Sequence, residues 1–279
     1  MSAPATAVPG AGAAAPGTGI SISRVGYEYR PPRGRPVLAL ENISLDIKDR
    51  EFVALLGPSG CGKSTLLYLI GGFMPLQQGS ISVNGRIVTA PGPDRGIVFQ
   101  SFALFPWKTV IQNILYGLEK RGLPREECRR RAQHYIDLVH LRGFEDSYPS
   151  QLSGGMKQRV AIARTLATEP GTLLMDEPFG ALDSQTRTIM QDELLSIWRR
   201  SPMTVIFVTH DVREAVLLAD RVAVMTARPG RIKALVDTRF SGAADSAEVV
   251  RSREYADAVD HLWTLVREEA VAAGAGGRP

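Results

Sequence analysis

The sequence predicts an α/β protein. Short apolar stretches typical of buried strands recur along the chain, and stretches with helical spacing separate several of them. The most specific feature is a glycine-rich loop at residues 57–64, which follows an apolar strand and precedes an apolar helix. The composition agrees, because 44% of the 279 residues are hydrophobic and 22% are charged, as in globular proteins.

Composition also narrows the classes of function. The two cysteines, Cys61 and Cys128, indicate a reducing compartment and no disulfide framework. No apolar run approaches the roughly 18–20 residues of a membrane span, and the N-terminus lacks the pattern of a secretory signal. The net charge of +4 permits an anionic partner without requiring one.

The N-terminal part predicts a tail and then two strands. Residues 1–19 are mostly Ala, Pro, Gly and Thr, a composition that buries little, so we expect disorder there. Residues 20–23 and 43–47 alternate between apolar and polar, and a proline-rich loop separates them. Tyr27 and Tyr29 precede this loop, and two interpretations stay open: stacking on a flat ring, or packing at the strand edge.

Residues 57–64 match the phosphate-loop pattern G-x-x-x-x-G-K-[ST] at every position. Glycines let such a loop turn several N–H groups toward a triphosphate, and the next helix presents its positive dipole end to it. Lys63 adds a charge for the β- and γ-phosphates, and the Ser64 hydroxyl can ligate Mg²⁺. Cys61 lies in this anion site, which predicts a thiol more reactive than usual.

The middle of the chain predicts a hairpin, a buried strand and a helical region. Asn84-Gly85 is a strong signal for a tight hairpin turn. Residues 96–99 predict a strand ending at Gln100, a position where ligands bind in open α/β sheets. From about residue 109 to 142 apolar residues recur at helical spacing.

Polar residues follow two further buried strands. Asp176 and Glu177 follow residues 172–175, and two adjacent carboxylates there are costly unless a cation and a reaction use them. In nucleotide hydrolases the first holds Mg²⁺ and the second polarises the attacking water. His210 follows the strand at residues 205–208, at the same edge of the sheet.

A second anion-binding geometry precedes these strands. Ser153, followed by Gly154 and Gly155, opens a helix with an N-cap and two exposed backbone N–H groups. Beyond His210, two more strands and a closing helix at about residues 252–269 complete the predicted elements.

These motifs, in this order, resemble those of the ATP-binding-cassette (ABC) ATPases over about residues 20–235. The resemblance implies a P-loop NTPase fold: an α/β RecA-like core, an antiparallel β-subdomain and an inserted helical signature subdomain at about residues 101–160. It leaves residues 236–279 as a C-terminal helical extension. It also implies ATP and Mg²⁺ as cofactors.

The resemblance assigns roles to individual residues. The residues implied to be catalytic are Lys63, Gln100, Glu177, the general base, and His210, the switch on the γ-phosphate. The residues implied to bind ATP are Tyr29, which stacks on adenine, and Gly57, Pro58, Ser59, Gly60, Cys61, Gly62, Lys63, Ser64, Thr65, Gln100, Ser153, Gly154, Gly155 and Asp183. The residues implied to hold Mg²⁺ are Ser64, Gln100 and Asp176. Met156 departs from the family, where many relatives carry Gln.

The resemblance also implies an assembly at a membrane. Two copies would enclose ATP, the phosphate loop of one facing residues 153–155 of the other. The apolar segment 101–107 would meet a transmembrane permease subunit, with packing inside the helical subdomain as the alternative. An extracytoplasmic solute-binding protein would be an indirect partner. The expected location is peripheral, at the cytoplasmic face of the inner membrane.

Short stretches narrow the resemblance to one branch. Residues 91–96, 104–107 and 229–231 are similar to nitrate, sulfonate and taurine importers, and residues 239–240 and 250–252 to taurine import ATPases. We therefore expect uptake of taurine or another sulfonate, with nitrate or a related small anion as the alternative.

Two alternatives come from other classes. A non-transport ABC ATPase acting on nucleic acid would carry coiled-coil insertions or a second cassette, whereas this chain has one cassette with a compact helical insert. The arginine run at 129–131 could form a nucleic-acid patch, but no aromatic residues interleave with it, so we expect a solvated helix face and no nucleic-acid partner. A phosphoryl-transfer kinase would share the phosphate loop but would have no need for residues 153–155.

Overall fold

Two β-sheets organise the part of the chain that the computed structural model describes, residues 18–242 and 246–275. In chain order the strands are β1 (Thr18–Tyr29), β2 (Val37–Lys48), β3 (Phe52–Leu56), β4 (Gln78–Val83), β5 (Arg86–Ile87), β6 (Arg95–Val98), β7 (Thr172–Asp176), β8 (Thr204–Thr209), β9 (Arg221–Met225) and β10 (Ile232–Asp237). The α-helices around them are α1 (Lys63–Gly71), α2 (Val110–Lys120), α3 (Arg125–Leu138), α4 (Gly154–Leu166), α5 (Ser184–Arg200), α6 (Val212–Leu218), α7 (Ser246–Arg251) and α8 (Arg253–Ala275).

The smaller sheet is antiparallel, in the order β2-β1-β4-β5. Strands β1 and β2 are both longer than the two stretches predicted from alternation, because register shifts along their pairing interrupt the two-residue period. The predicted hairpin between β4 and β5 is confirmed, since Asn84 and Gly85 join them with φ angles of 50° and 75°. The tail predicted at residues 1–19 lies outside the described residues, except that Thr18 and Gly19 already belong to β1.

The larger sheet has the order β10-β9-β3-β8-β7-β6 and is parallel except for β10 at its edge. Strands β3, β7 and β8 are buried at every residue, as expected of strands covered on both faces. Because the carboxyl ends of parallel strands meet at one edge, the loops that follow β3, β6, β7 and β8 lie together. These four loops carry the phosphate loop, Gln100, Glu177 and His210.

The helical region predicted at residues 109–142 is two helices. Helix α2 ends at Lys120, and the chain then passes through Gly122, whose φ is 73°, before α3 begins at Arg125. A left-handed glycine just beyond a helix end stops the helix, so the helical region is divided at this point. The bounds predicted for the helical subdomain stay a prediction, and α4 extends beyond residue 160 to Leu166.

The C-terminal helices pack on the core. Tyr255, Val259 and Leu262 of α8 are buried in the same hydrophobic cluster as Ala215 and Leu218 of α6. The predicted boundary at residue 235 also stays a prediction, and β10 extends two residues past it to Asp237. Within the described ranges, no helix combines the length and the apolar character that a bilayer crossing requires.

Candidate nucleotide site

The phosphate loop is built between β3 and α1. Gly60 and Gly62 have φ angles of 74° and 102°, which L side chains rarely adopt, so the loop depends on glycine at these two places. The Lys63 ammonium donates to the carbonyl oxygens of Gly57, at 2.8 Å, and Pro58, at 3.0 Å. The side chain therefore curls back over the loop, and its charge lies where the motif expects the phosphates.

Burial of Cys61 acts against the reactive thiol that its position in the loop predicts. The residue is buried, and this burial raises the pKa of the thiol. The neighbouring Lys63 charge, 3.9 Å from the sulfur, acts in the opposite direction but does not outweigh the desolvation. The inward packing of this side chain moves the pKa opposite to the direction that a reactive thiol requires, and the reactivity itself stays a prediction.

Asp176 is held by two hydroxyl groups of α1. Ser64 donates to its Oδ1 at 2.8 Å, and Tyr68 donates to its Oδ2 at 2.7 Å. The carboxylate is only 1% exposed, so these two bonds replace the water that it has lost. Burial and the neighbouring carboxylate raise the pKa of Tyr68, so its hydroxyl remains a donor. Sequence reasoning missed Tyr68, although it lies four residues after Ser64 and hence on the same face of α1.

This donor set is chemically suited to magnesium. Mg²⁺ prefers oxygen ligands and usually keeps few protein ligands beside the phosphates of a nucleotide. Ser64 and Asp176 supply a hydroxyl and a carboxylate side by side. No group of three or more His, Cys, Asp or Glu residues that could hold a metal occurs among the described residues.

Glu177, Gln100 and His210 converge across three strand ends. Glu177 Oε2 lies 3.2 Å from His210 Nδ1 and accepts from Gln100 Nε2 at 3.4 Å. Glu177 has a φ of 46°, a left-handed conformation that costs energy for a residue with a side chain. Such strain is maintained where the surrounding structure requires a side chain to point in one direction, here into the cleft beside Lys63.

Tyr29 stands at the mouth of the cleft. Its hydroxyl shares a hydrogen bond of 3.0 Å with Thr65 Oγ1, and the residue is 43% exposed. Tyr27 is buried and packs edge-on against Tyr29, with ring centroids 5.0 Å apart. Of the two interpretations, packing at the strand edge therefore applies to Tyr27. The exposed ring of Tyr29 is available to stack on a flat ligand.

These elements enclose a cleft of about 650 Å³. The predicted residues that line it are Tyr29, Ser59, Gly60, Gly62, Lys63, Ser64, Thr65, Gln100, Glu177 and His210. Val37, Ala39 and Arg228 also line it and were not predicted; Arg228 lies in a stretch whose sequence indicated only a turn.

Seven predicted ATP-binding residues do not line this cleft: Gly57, Pro58 and Cys61 within the phosphate loop itself, and Ser153, Gly154, Gly155 and Asp183 outside it. Ser153 caps α4 by accepting from the backbone N–H of Met156 at 3.3 Å. Asp183 caps α5 by accepting from the backbone N–H of Thr186 at 3.0 Å, and this bond lowers the pKa of the carboxyl. Both caps leave helix N-termini at the surface, away from the phosphate loop of the same chain.

Comparison with known proteins identifies the family. A sequence profile described as ABC transporter matches residues 40–180, just over half of the 279 residues. The chain belongs to the ABC transporter family. The taurine import ATP-binding protein TauB of Rhizobium johnstonii is 50% identical to this ABC protein over 237 residues, 84% of this chain and 90% of that one. The nitrate import ATP-binding protein NrtD of Synechocystis sp. is 47% identical over 236 residues, 83% of this chain and 89% of that one.

The fold agrees with a solved structure. An ATP-binding cassette crystallised as a dimer in a post-hydrolysis state, bound to ADP and Pi, is similar to this ABC protein with a TM-score of 0.72. The two are 33% identical, and the similarity covers 79% of this chain and 99% of that one. The predicted ABC ATPase fold and the predicted relation to nitrate and taurine importer ATPases are thereby confirmed.

Proposed function

We propose that this ABC protein is the ATP-binding and ATP-hydrolysing subunit of an importer for a small anionic solute. The observation that carries the proposal is the convergence of Lys63, Asp176, Glu177 and His210 at the carboxyl edge of one parallel sheet. A cation, a strained and partly exposed carboxylate, and a buried carboxylate bonded to Ser64 at the same sheet edge provide the chemistry that nucleotide hydrolysis requires.

Each residue has a proposed part in hydrolysis. The phosphate loop and Lys63 bind the β- and γ-phosphates, and the ring of Tyr29 stacks on adenine. Ser64, Gln100 and Asp176 would hold Mg²⁺, which supplies charge neutralisation on the phosphates when bound. Glu177 orients the attacking water and accepts its proton, while His210 contacts the γ-phosphate.

The site is proposed to be complete only in a dimer. Ser153, Gly154, Gly155 and Asp183 lie outside the cleft of their own chain, although the first three form a helix N-terminus with the geometry for an anion. In a head-to-tail pair, residues 153–155 of one copy would close over the nucleotide of the other. The dimeric state of the similar ADP-bound cassette supports this arrangement.

The segment at residues 101–107 is the proposed contact with a transmembrane permease. Trp107 is 69% exposed, and Phe105 lies against Tyr116 with ring centroids 4.7 Å apart. Buried Asn113 holds this segment by accepting from the backbone N–H of Phe105 at 2.9 Å and donating to the carbonyl of Lys108 at 3.0 Å. A rigid, exposed aromatic patch is typical of a protein contact, and it would place this chain peripherally at the cytoplasmic face of the membrane.

The solute is proposed to be taurine or another sulfonate, with nitrate as the alternative. The identities to a taurine and a nitrate import protein, 50% and 47%, support both. The permease and an extracytoplasmic solute-binding protein would select the solute. Deletion of this chain is expected to abolish growth on taurine as sole sulfur source; loss of growth on nitrate alone would favour the alternative.

ATP turnover by purified protein tests the proposed site. Lys63→Ala should lower the hydrolysis rate at least about 100-fold, because the charge on the transferred phosphoryl group is no longer balanced. Lys48→Ala, on the exposed end of β2, is the control and should keep the full rate. A Lys63→Ala protein that hydrolyses ATP normally would contradict the assignment.

A second experiment tests the permease contact. Trp107→Ala should reduce co-purification with the permease while ATP binding is retained. Trp263→Ala is the matched control, since Trp263 is 53% exposed on α8, outside the segment 101–107. Equal co-purification of both variants with the permease would count against the proposed surface.

A further inference from the structure

Arg228 contacts the phosphate loop from a segment that no motif of the site includes. It lies between β9 and β10, is exposed, and lines the nucleotide cleft. Its guanidinium donates to the carbonyl oxygen of Gly60 through Nη2 at 3.1 Å and through Nε at 3.3 Å. A charged hydrogen-bond donor thus contacts the Gly60–Cys61 peptide group of the loop.

The segment that carries Arg228 is fixed in place. Thr226 Oγ1 donates to the carbonyl of Pro229 at 2.9 Å and accepts from the N–H of Arg231 at 2.9 Å, so the segment is closed on itself. Gly230 donates to the carbonyl of Ala39 at 2.9 Å. A side chain at Gly230 would place its Cβ 2.1 Å from the carbonyl oxygen of Cys61, so the segment lies directly against the phosphate loop.

The contact between Arg228 and the Gly60 carbonyl also fixes the direction of the next backbone N–H group, because the peptide bond is planar. In a planar trans peptide the C=O and N–H groups point in opposite directions. Arg228 binds the Gly60 carbonyl, so the N–H of the following Cys61 points away from Arg228, toward Pro58 O at 3.4 Å. Lys63 donates to the same Pro58 oxygen, so the Cys61 N–H and the Lys63 ammonium are directed to one place.

We propose that Arg228 is a positioning residue of the ATP site, which orients the Gly60–Cys61 peptide so that the Cys61 N–H faces the phosphates. The inference rests on the proposed ATP site. Arg228 would act on ATP binding through the backbone of the loop. The hydrogen bonds that its N–H groups donate to Gly60 should therefore matter more for ATP affinity than its positive charge.

The C-terminal helix supports this arrangement through Glu269. Its carboxylate accepts from the backbone N–H of Ala227, the neighbour of Arg228, at 2.9 Å. It also pairs with Lys233 at 2.8 Å. Glu268 pairs with the same lysine at 2.7 Å, and its described contacts do not include Ala227. Helix α8 is therefore linked to the phosphate loop through the backbone N–H of Ala227 and the side chain of Arg228.

Substitutions at Arg228 separate the donor from the charge. Arg228→Met reaches the position of Nε but has no donor, whereas Arg228→Gln places a neutral N–H₂ on the same Cδ atom that carries Nε in arginine. The Kd for ATP, measured by calorimetry, should rise about tenfold in Arg228→Met, and kcat should stay within about threefold, as for lost uniform binding. Arg228→Gln should stay within about threefold of wild type in Kd.

Two results at Arg228 would overturn the inference. One is an unchanged Kd in Arg228→Met, since the contact would then have no part in binding. The other is an equal loss in both variants, since the charge would then act on the triphosphate directly. A wild-type protein that does not bind ATP would instead overturn the proposed function, while weaker binding confined to Arg228→Met supports the inference.

A matched pair on α8 tests the support from the helix. Glu269→Ala and Glu268→Ala each remove one partner of Lys233, but only the first removes the acceptor of the Ala227 N–H. The Kd for ATP should rise about threefold to fivefold in Glu269→Ala and remain at the wild-type value in Glu268→Ala. Equal Kd values in the two variants would show that α8 does not act through Ala227.

Discussion

Replacing Tyr68 by phenylalanine removes one hydroxyl group and leaves the ring in place beside Phe99, whose centroid is 5.9 Å away. The lost hydrogen bond, 2.7 Å long, ends on Oδ2 of Asp176, which is almost completely buried. A hydrogen bond to a charged group contributes about 1.5–3 kcal/mol, and the buried carboxylate has no water to replace it. Of the two hydrogen bonds that described side chains make to Asp176, the one from Ser64 to the other oxygen would remain.

The consequence should appear in the magnesium requirement of ATP hydrolysis. Groups that orient a metal ligand typically change metal affinity by about 10–100-fold, which agrees with the range that the lost hydrogen bond gives. We therefore expect the free Mg²⁺ concentration for half-maximal hydrolysis, at saturating ATP, to rise by about 10–100-fold in Tyr68→Phe.

A matched control distinguishes the site from a general effect on stability. Tyr135→Phe makes the same change at a buried tyrosine of α3, in the helical region, and should leave the Mg²⁺ requirement unchanged. A Tyr68→Phe protein with an unchanged or lower Mg²⁺ requirement would refute the reasoning that Tyr68 positions Asp176.

Two further changes test the phosphate loop and the strand end that carries His210. Gly62→Ala places a methyl group at a φ of 102° and 2.6 Å from Leu40 Cδ2, so the free energy of unfolding should fall by more than the about 1–2 kcal/mol of the backbone alone. Gly85→Ala, at a φ of 75° with open space around it, is the control; equal losses in urea unfolding would contradict the steric argument. Burial raises the pKa of the Glu214 carboxyl above its ordinary value of 4.5, so the folded state holds that proton more tightly than the unfolded state. The free energy of unfolding should therefore decrease as the pH rises from 4.5 through the raised pKa, and Glu214→Gln should lack this part of the decrease; parallel pH curves for the two proteins would contradict it.

Much of the site follows from local sequence. The phosphate loop, Gln100, Glu177 and His210 each follow an apolar strand, and the parallel topology brings such positions to one edge. The hairpin at Asn84 and Gly85 was predictable for the same reason, because its conformation depends on only two residues.

Other features depend on contacts between distant parts of the chain. Tyr68 and Arg228 act through groups 108 and 168 residues away, so no local pattern distinguishes them from an ordinary helix residue and an ordinary turn residue. The inward packing of Cys61 raises the pKa of its thiol, opposite to the direction expected from the loop motif, since desolvation depends on neighbours that the motif does not specify. The bulges in β1 hid its true length from the alternation of its residues.

The size of the Glu177→Gln protein in the presence of ATP tests most directly whether two copies share each nucleotide. This substitution removes the carboxylate that is proposed as the general base, so ATP should remain bound and unhydrolysed. Light scattering should then give the mass of two chains. Adding Ser153→Arg to the same protein should return the mass to one chain, because the bulky side chain stands on the surface that would close over the partner's phosphates. A Glu177→Gln protein that binds ATP fully and still has the mass of one chain would contradict the account.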